Sequence, residues 1–340
     1  MRTEVDQGSV TPLRVHPRVS VIIPTYRHQN KIIDTLESVF RQTFQDFEVI
    51  VVNDGSPDET AQLLAPLAAS GRIRYVEQSN KGQAAARNRG LAEALGDFIA
   101  FLDDDDLWPD DKLEWQVSYL EKNPSVAAVG GGCELINDSG AAKEDIFFYE
   151  GPVTAERISC GNPFRSPGQT LIRIQVLREI GGFNTALWGA EDMDLWFRIA
   201  LRAKMVALRQ TALRYRIHEQ NASRDVIRMH VNLCRMIHSH LRLVPAEIRD
   251  AIRKNYYVWL YNYLGPSRVW RAIKRSPEPF QGRDSIRNKL NVTLVNVRLV
   301  MASLITAPTL RWLFVRGITT GKVRKLLRRL QWFNYDGDQQ

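Results

Sequence analysis

The sequence has little cysteine: three residues in 340, Cys133, Cys160 and Cys234, widely spaced and without a C-x-x-C pair. An odd, scattered set excludes a disulfide framework and a cysteine zinc site, and it suits a reducing compartment. Long hydrophobic runs are missing too. The most apolar stretch, Leu294 to Val315, is broken by Arg298, Pro308 and Arg311. It falls short of the roughly 18–20 uninterrupted apolar residues that a transmembrane helix needs. Met1 to Pro17 is polar and charged. It lacks the apolar core of a secretory signal, so the expected location is cytoplasmic. No zinc-finger or RNP-like signature and no internal repeat occurs, so nucleic acid is not an expected partner.

Charge is abundant but unevenly placed. Residues 241–340 hold 19 Lys/Arg against 6 Asp/Glu, a net of +13, while residues 1–240 are net −5. The basicity belongs to the last hundred residues, where it points to an anionic partner, either a membrane surface or nucleic acid. Lys322–Trp332 reads as a basic amphipathic helix, with Val323, Leu326, Leu327 and Leu330 on one face. Two readings stay open for it. It lies on an anionic membrane at the cytoplasmic face, or it packs its apolar face on the catalytic domain or on a second subunit in a homo-oligomer.

What the sequence does have is an apolar run that ends in four carboxylates. Phe98–Leu102 leads directly into Asp103, Asp104, Asp105 and Asp106. Adjacent like charges repel, more so where water is excluded, and a divalent cation offsets that repulsion through oxygen ligands. In an open α/β sheet, ligands sit at the carboxyl ends of strands. The alternative is a solvated acidic loop, with Pro109, Asp110 and Asp111 opening the next helix.

The surrounding pattern alternates strands and helices. Strands are expected at Val19–Ile23, Phe47–Val52, Ile73–Val76 and Phe98–Asp103. Ile32, Ile33, Leu36, Val39 and Phe40 recur at helical spacing. Ser56-Pro57-Asp58-Glu59 reads as a capping box, and 82–95 as an Ala-rich helix ended by Gly96. A helix to about Glu121 follows Pro109, then a strand near Val126–Val129. Residues 134–168 are Gly-, Pro- and Asn-rich and irregular. Gln169–Ile174 is a further strand, Glu191–Arg202 a helix, and the chain beyond about Arg224 mainly helical. Alternating strands and helices imply a largely parallel sheet covered on both faces.

Three constellations could carry chemistry. The first joins Pro24-Thr25-Tyr26, Asn53-Asp54-Gly55-Ser56 and the acidic run at one sheet edge, with Asn80-Lys81-Gly82-Gln83 and Arg87 opening a helix suited to a phosphate. Asp54-Gly55 is equally a plain turn pair. The second is Glu191-Asp192-Met193-Asp194 at a helix start. There the helix dipole favours an ionised Asp192, a general base in a cleft or a mere helix stabiliser. The third is His218, a candidate ligand or an ordinary histidine.

Taken in order, Val19–Tyr26, Val51–Ser56, Asn80–Gly90, Gly96–Asp106, Gly181-Gly182-Phe183 and Glu191-Asp192 through Leu195-Trp196 resemble the family 2 glycosyltransferases. The resemblance spans about residues 18–222. It implies a GT-A fold, a Rossmann-like and mostly parallel central sheet flanked by helices, with a mainly helical basic C-terminal region. Residues 1–17 would be an extension, 18–224 the transferase domain and 225–340 the helical region. Asp54 would contact the nucleotide base, with Pro24, Thr25, Tyr26, Gly82 and Arg87 around the nucleotide. Asp103-Asp104-Asp105 would be the D-x-D motif. Asp105 would be the main ligand of Mn²⁺ or Mg²⁺, assisted by Asp103 and His218, and Asp103 and Asp104 would face the nucleotide. Asp192 would be the catalytic base, with Glu191 and Trp188 near the acceptor. The partners implied are a nucleotide-sugar donor, by default UDP-linked, and a glycan or lipid-linked acceptor. Gln-x-x-Arg-Trp, found in processive members, is absent after Asp192, which favours one sugar per binding event; the family resemblance implies inversion. A nucleotidyltransferase, or a non-catalytic nucleotide-binding scaffold with a nucleic-acid-binding tail, are the competing readings.

Overall fold

Residues 16–146, 149–218 and 226–264 are described by the computed structural model. The apolar, β-branched runs form the middle of one sheet. Strand β1 (Val19–Thr25) lies between β2 (Phe47–Asn53) and β4 (Phe98–Phe101), and β3 (Arg74–Glu77) flanks β2; all four are parallel. Every residue of β1 is buried, as a strand covered on both faces requires. Pro24 is tolerated within β1 because the pairing with β4 ends at Ile22. Helices α1 (Ile32–Phe40), α2 (Thr60–Ala69) and α3 (Gln83–Glu93) make the crossovers.

The second half adds α4 (Lys112–Lys122), β5 (Val126–Ile136), β6 (Ala142–Ile146), β7 (Gly151–Pro152), α5 (Ala155–Ser159), β8 (Thr170–Arg173), α6 (Ile174–Ile180), α7 (Glu191–Ala200) and β9 (Lys204–Arg216). The strand order is β3-β2-β1-β4-β8-β5-β9-β7, with β6 beside β5. β8 runs antiparallel to β4 and β5, whereas β5 and β9 are parallel. This is the expected α/β class, a central sheet flanked by helices.

Five local expectations are corrected. The capping box at Ser56 does not form, because Ser56 Oγ accepts the Arg27 N–H and α2 starts only at Thr60, where Asp58 serves the first N–H. Pro109 is not the first residue of α4; the helix opens at Lys112, after a turn closed by the Lys112 N–H on the Pro109 carbonyl. α3 ends at Glu93, before Gly96. Gly96 is small because a Cβ there would come within 2.6 Å of the Ser20 nitrogen. β9 falls where no strand was expected, and β5 runs seven residues past Val129.

α8 (Val226–Leu243) and α9 (Ala246–Leu264) share a core with the sheet half. Met229, Leu233, Met236, Ile252 and Tyr256 are buried in one apolar cluster with Leu195, Trp196 and Phe197 of α7. No helix among the described residues is long and apolar enough to cross a membrane. The amphipathic segment Lys322–Trp332 lies outside the described residues.

Gly182 shows how tightly the turn before α7 is built. Its φ is +70°, and a Cβ would overlap Asn88 Oδ1, which already accepts the Phe183 N–H at 2.8 Å. Gly182→Ala is therefore expected to lower stability by ~1–3 kcal/mol through overpacking and a strained φ. Urea unfolding checks it, and a parental midpoint would show that the turn yields freely.

Candidate active site

The carboxyl ends of β1, β2 and β4 meet at one edge of the sheet, and β9 runs up to the same place. The Leu107 and Arg214 backbones exchange hydrogen bonds of 3.0 and 2.7 Å. The Arg216 N–H donates to Asp106 Oδ1 at 2.8 Å, and its Nε donates to the Asp105 carbonyl at 2.8 Å. Asp106 is thus buried and spent on fixing β9 to the acidic turn. Burial, with Asp105 and Asp103 nearby, pushes its carboxyl well up. That fixation carries His218, two residues past Arg216, onto Asp105, with Nε2 2.7 Å from Oδ2.

His28 completes this corner. Arg27 has φ +63°, the one positive value of a non-glycine among the described residues. A residue so placed turns the chain sharply. His28 Nδ1 then lies 2.7 Å from Asp104 Oδ1, and Asp104 Oδ2 accepts the Tyr26 N–H at 3.1 Å. The hydrogen bond to Asp104 raises the His28 imidazole above its ordinary value. Donor atoms of His28, Asp105 and His218 all lie within 4.8 Å of one another. Two imidazoles and one carboxylate, one imidazole oriented by a further carboxylate, make a donor set fit for a divalent cation. His28 was not singled out in the sequence; its only signal is that it follows Pro24-Thr25-Tyr26 at a strand end.

Asp103 faces the other way from this corner. It accepts from Arg87 Nη2 at 2.5 Å, Gln83 Nε2 at 3.0 Å and Ser166 Oγ at 3.0 Å. Expected among the metal ligands, it is instead the partner of a guanidinium that is 1% exposed. Arg87 also lies 3.4 Å from Asp192 and 3.9 Å from Glu191. One buried cation therefore ties three carboxylates from β4's end and α7. Without it their mutual repulsion in a low-dielectric cleft would be severe.

Asp192 is the most exposed carboxylate of this group, its side chain 24% exposed against 17% for Asp103 and 6% for Glu191. The expectation of an ionised Asp192 is corrected. Burial, which outweighs the opposing pull of Arg87 and is reinforced by Glu191 and Asp103, pushes its carboxyl up to about 8. The helix start does not overcome that desolvation.

His28, Asp104 and Asp105 share with Arg87, Asp103 and Asp192 the lining of a cavity of about 530 Å³. Gln83, Trp188 and Glu191 line it as well. Met229 and Leu233 of α8 and Trp259 of α9 close it from the C-terminal side. Pro24, Thr25, Tyr26, Asp54 and Gly82 are not in this lining; they lie on the β1–β2 side of the edge. Asp54 accepts from Gln78 Nε2 at 2.7 Å, Lys81 N at 2.9 Å and Gly82 N at 2.8 Å. It therefore builds the turn into α3, and two N–H groups read as a phosphate cradle are committed to it.

Comparison with known proteins bears on the family and the fold. Residues 20–181 match the family model described as Glycosyl transferase family 2. A Rickettsia felis protein named as an uncharacterized glycosyltransferase is 37% identical over 186 residues, which cover 54% of this chain and 30% of that protein. The Escherichia coli protein WfgD, named as a UDP-Glc:alpha-D-GlcNAc-diphosphoundecaprenol beta-1,3-glucosyltransferase, is 38% identical over 121 residues, covering 36% and 47% of the two chains. The structure of S. aureus TarS 1-349 in complex with UDP-GlcNAc superposes with a TM-score of 0.63 at 20% identity, covering 84% of this chain and 81% of that one. At that identity the likeness is one of fold.

Proposed function

This chain belongs, through residues 20–181, to the family 2 glycosyltransferases, and from that premise we propose that it transfers one sugar from a nucleoside-diphosphate sugar to a hydroxyl of an envelope glycan or lipid-linked acceptor, with inversion. The observation that carries this is Asp192. It is the most exposed carboxyl around Arg87, its pKa is raised to about 8, and it shares a cavity with His28 and Asp105. A general base works best with a pKa near the working pH.

Asp192 would take the acceptor's proton as its oxygen attacks the anomeric carbon. The nucleoside diphosphate leaves from the opposite side, which inverts that centre. Arg87 holds Asp192 and Asp103 in one frame, and Trp188 and Trp259 offer rings to a sugar face. His28, Asp105 and His218 would hold the metal. Their two imidazoles favour Mn²⁺ over Mg²⁺, which prefers oxygen ligands. A metal bound there supplies Lewis-acid neutralisation of charge developing on the diphosphate. UDP as nucleotide and a diphospholipid acceptor follow the named relatives WfgD and TarS. The basic residues of 241–340 suit the anionic cytoplasmic membrane surface at which such an acceptor sits.

A screen of nucleotide sugars with Mn²⁺ tests the proposal, with nucleoside diphosphate as the expected product. Release of pyrophosphate instead would favour the nucleotidyltransferase reading, and no turnover of any donor would defeat both. The pH profile adds a second check. Asp192 is protonated below its raised pKa, so kcat/KM should climb tenfold per pH unit and level off above about pH 8. A profile already flat from pH 6 would show that another group takes the proton.

A further inference from the structure

Asp194 lies two residues beyond Asp192, about 200° around α7 and so on the opposite face of the helix. Asp192 faces the cavity; Asp194 faces the C-terminal helices. Its Oδ1 is 3.0 Å from His240 Nε2 on α8, and its Oδ2 accepts from Arg198 Nε at 2.7 Å. His240 is fully buried, stacks on Phe197 with centroids 3.9 Å apart and planes 4° from parallel, and meets the Tyr256 hydroxyl of α9 through Nδ1 at 2.6 Å. Arg198 continues the chain, donating to the Ile180 and Gly182 carbonyls at 2.9 and 2.7 Å. Beyond Gly182, Phe183 exchanges hydrogen bonds with Asn88 on α3, and the Arg87 guanidinium lies over the Phe183 ring. A continuous path of bonds and contacts thus runs from α9 through α8 and α7 to the arginine that holds Asp192.

The protons along this path are determined by its charges. Burial works against an ionised Asp194, but His240 and Arg198 outweigh it and hold the carboxyl below its usual range. Burial lowers His240, so the imidazole is neutral. Nε2–H therefore donates to Asp194, and Nδ1 accepts the Tyr256 O–H. Each buried polar atom of this relay has its partner, as such networks require to hold one geometry.

We propose that His240 is a positioning residue for the transfer reaction: through Asp194 it holds the first turn of α7, and with it Asp192, against the cavity, so that α8 and α9 are part of the catalytic apparatus. This rests on the transferase reading above. The cost of losing the restraint falls on the chemical step, since misplacing a reacting group by an ångström can cost ~100-fold.

The test uses the full chain and the donor that the parent turns over. His240→Phe keeps a ring on Phe197 but removes both hydrogen bonds; His240→Gln restores a donor toward Asp194. The expected result for His240→Phe is a kcat lower by ~10–100-fold with donor KM within about twofold, the pattern of an interaction used in the transition state. His240→Gln should recover most of kcat. Tyr256→Phe, which deletes one hydroxyl and leaves the fold, should lower kcat by ~2–10-fold, the worth of one hydrogen bond. Parental kcat in Tyr256→Phe or in folded His240→Phe, a change in KM alone, or kcat that follows Tm without rescue by glutamine would each overturn the proposal. A parent that releases no nucleoside diphosphate would instead defeat the transferase reading. The relay is then read from the nitrogen-15 spectrum of His240, where a neutral ring with an exchange-protected Nε2–H is expected and its absence overturns the relay itself.

Discussion

Asp192→Asn is expected to bind the nucleotide-sugar donor as tightly as the parent while transfer falls by ~10²–10⁴-fold, the usual contribution of a general base. The substitution keeps the size and planarity of the side chain. It removes the proton acceptor and one of the three carboxylates around Arg87. Loss of one carboxylate also leaves Asp103 and Glu191 with a larger share of the guanidinium, so the cavity wall should hold and the protein should remain folded. Calorimetric donor binding and steady-state transfer separate the two effects. The assignment fails if turnover stays within about tenfold of the parent, a loss of only ~1.4 kcal/mol. A weakened donor affinity with unchanged kcat would move Asp192 from base to binding residue.

Chelation of divalent cations should abolish transfer, and Mn²⁺ should restore it better than Mg²⁺. The proposed ligands are His28, Asp105 and His218, whose donor atoms lie within 4.8 Å of one another. Asp105→Ala and His28→Ala should each weaken Mn²⁺ binding by more than the ~10–100-fold typical of losing an outer partner of a ligand. Asp103→Asn should leave Mn²⁺ affinity near the parent's, because its oxygens are engaged by Arg87, Gln83 and Ser166. Mn²⁺ affinity is measurable by paramagnetic resonance without turnover. If Asp103→Asn loses the metal while His28→Ala keeps it, the assignment is wrong and the simple D-x-D reading stands. Full turnover in EDTA would remove the metal from the mechanism.

The two halves of this site were unequally visible in the sequence. Asp103–Asp106 and Asp192 stand out because each sits where a periodic apolar segment meets a run of acids, and strand ends and helix starts can be read locally. The division of labour within the acidic run could not be read, because four identical residues in sequence carry no local distinction. Tertiary neighbours make it. Arg87 claims Asp103, His28 claims Asp104, His218 meets Asp105 and the backbone of Arg216 takes Asp106. His28 itself is one imidazole in a polar loop, and the left-handed Arg27 before it turns the chain so that it meets Asp104 and His218.

By itself the sequence determined the class of fold and the family, since both rest on the order and spacing of local patterns. Only the tertiary structure decided which carboxylate is paired with a cation, which has its pKa raised by burial and which lies beside an imidazole. Burial and charge at a few ångströms depend on residues far apart in the chain: Arg87 and Asp192 are 105 positions apart, His218 and Asp105 113. The same holds for β9, where Arg209, Gln210 and Arg214 interrupt the apolar alternation and long pairing with β5 supplies the strand. It holds as well for α8 and α9, whose helical pattern shows that they fold but not that they reach, through His240, the helix that carries Asp192.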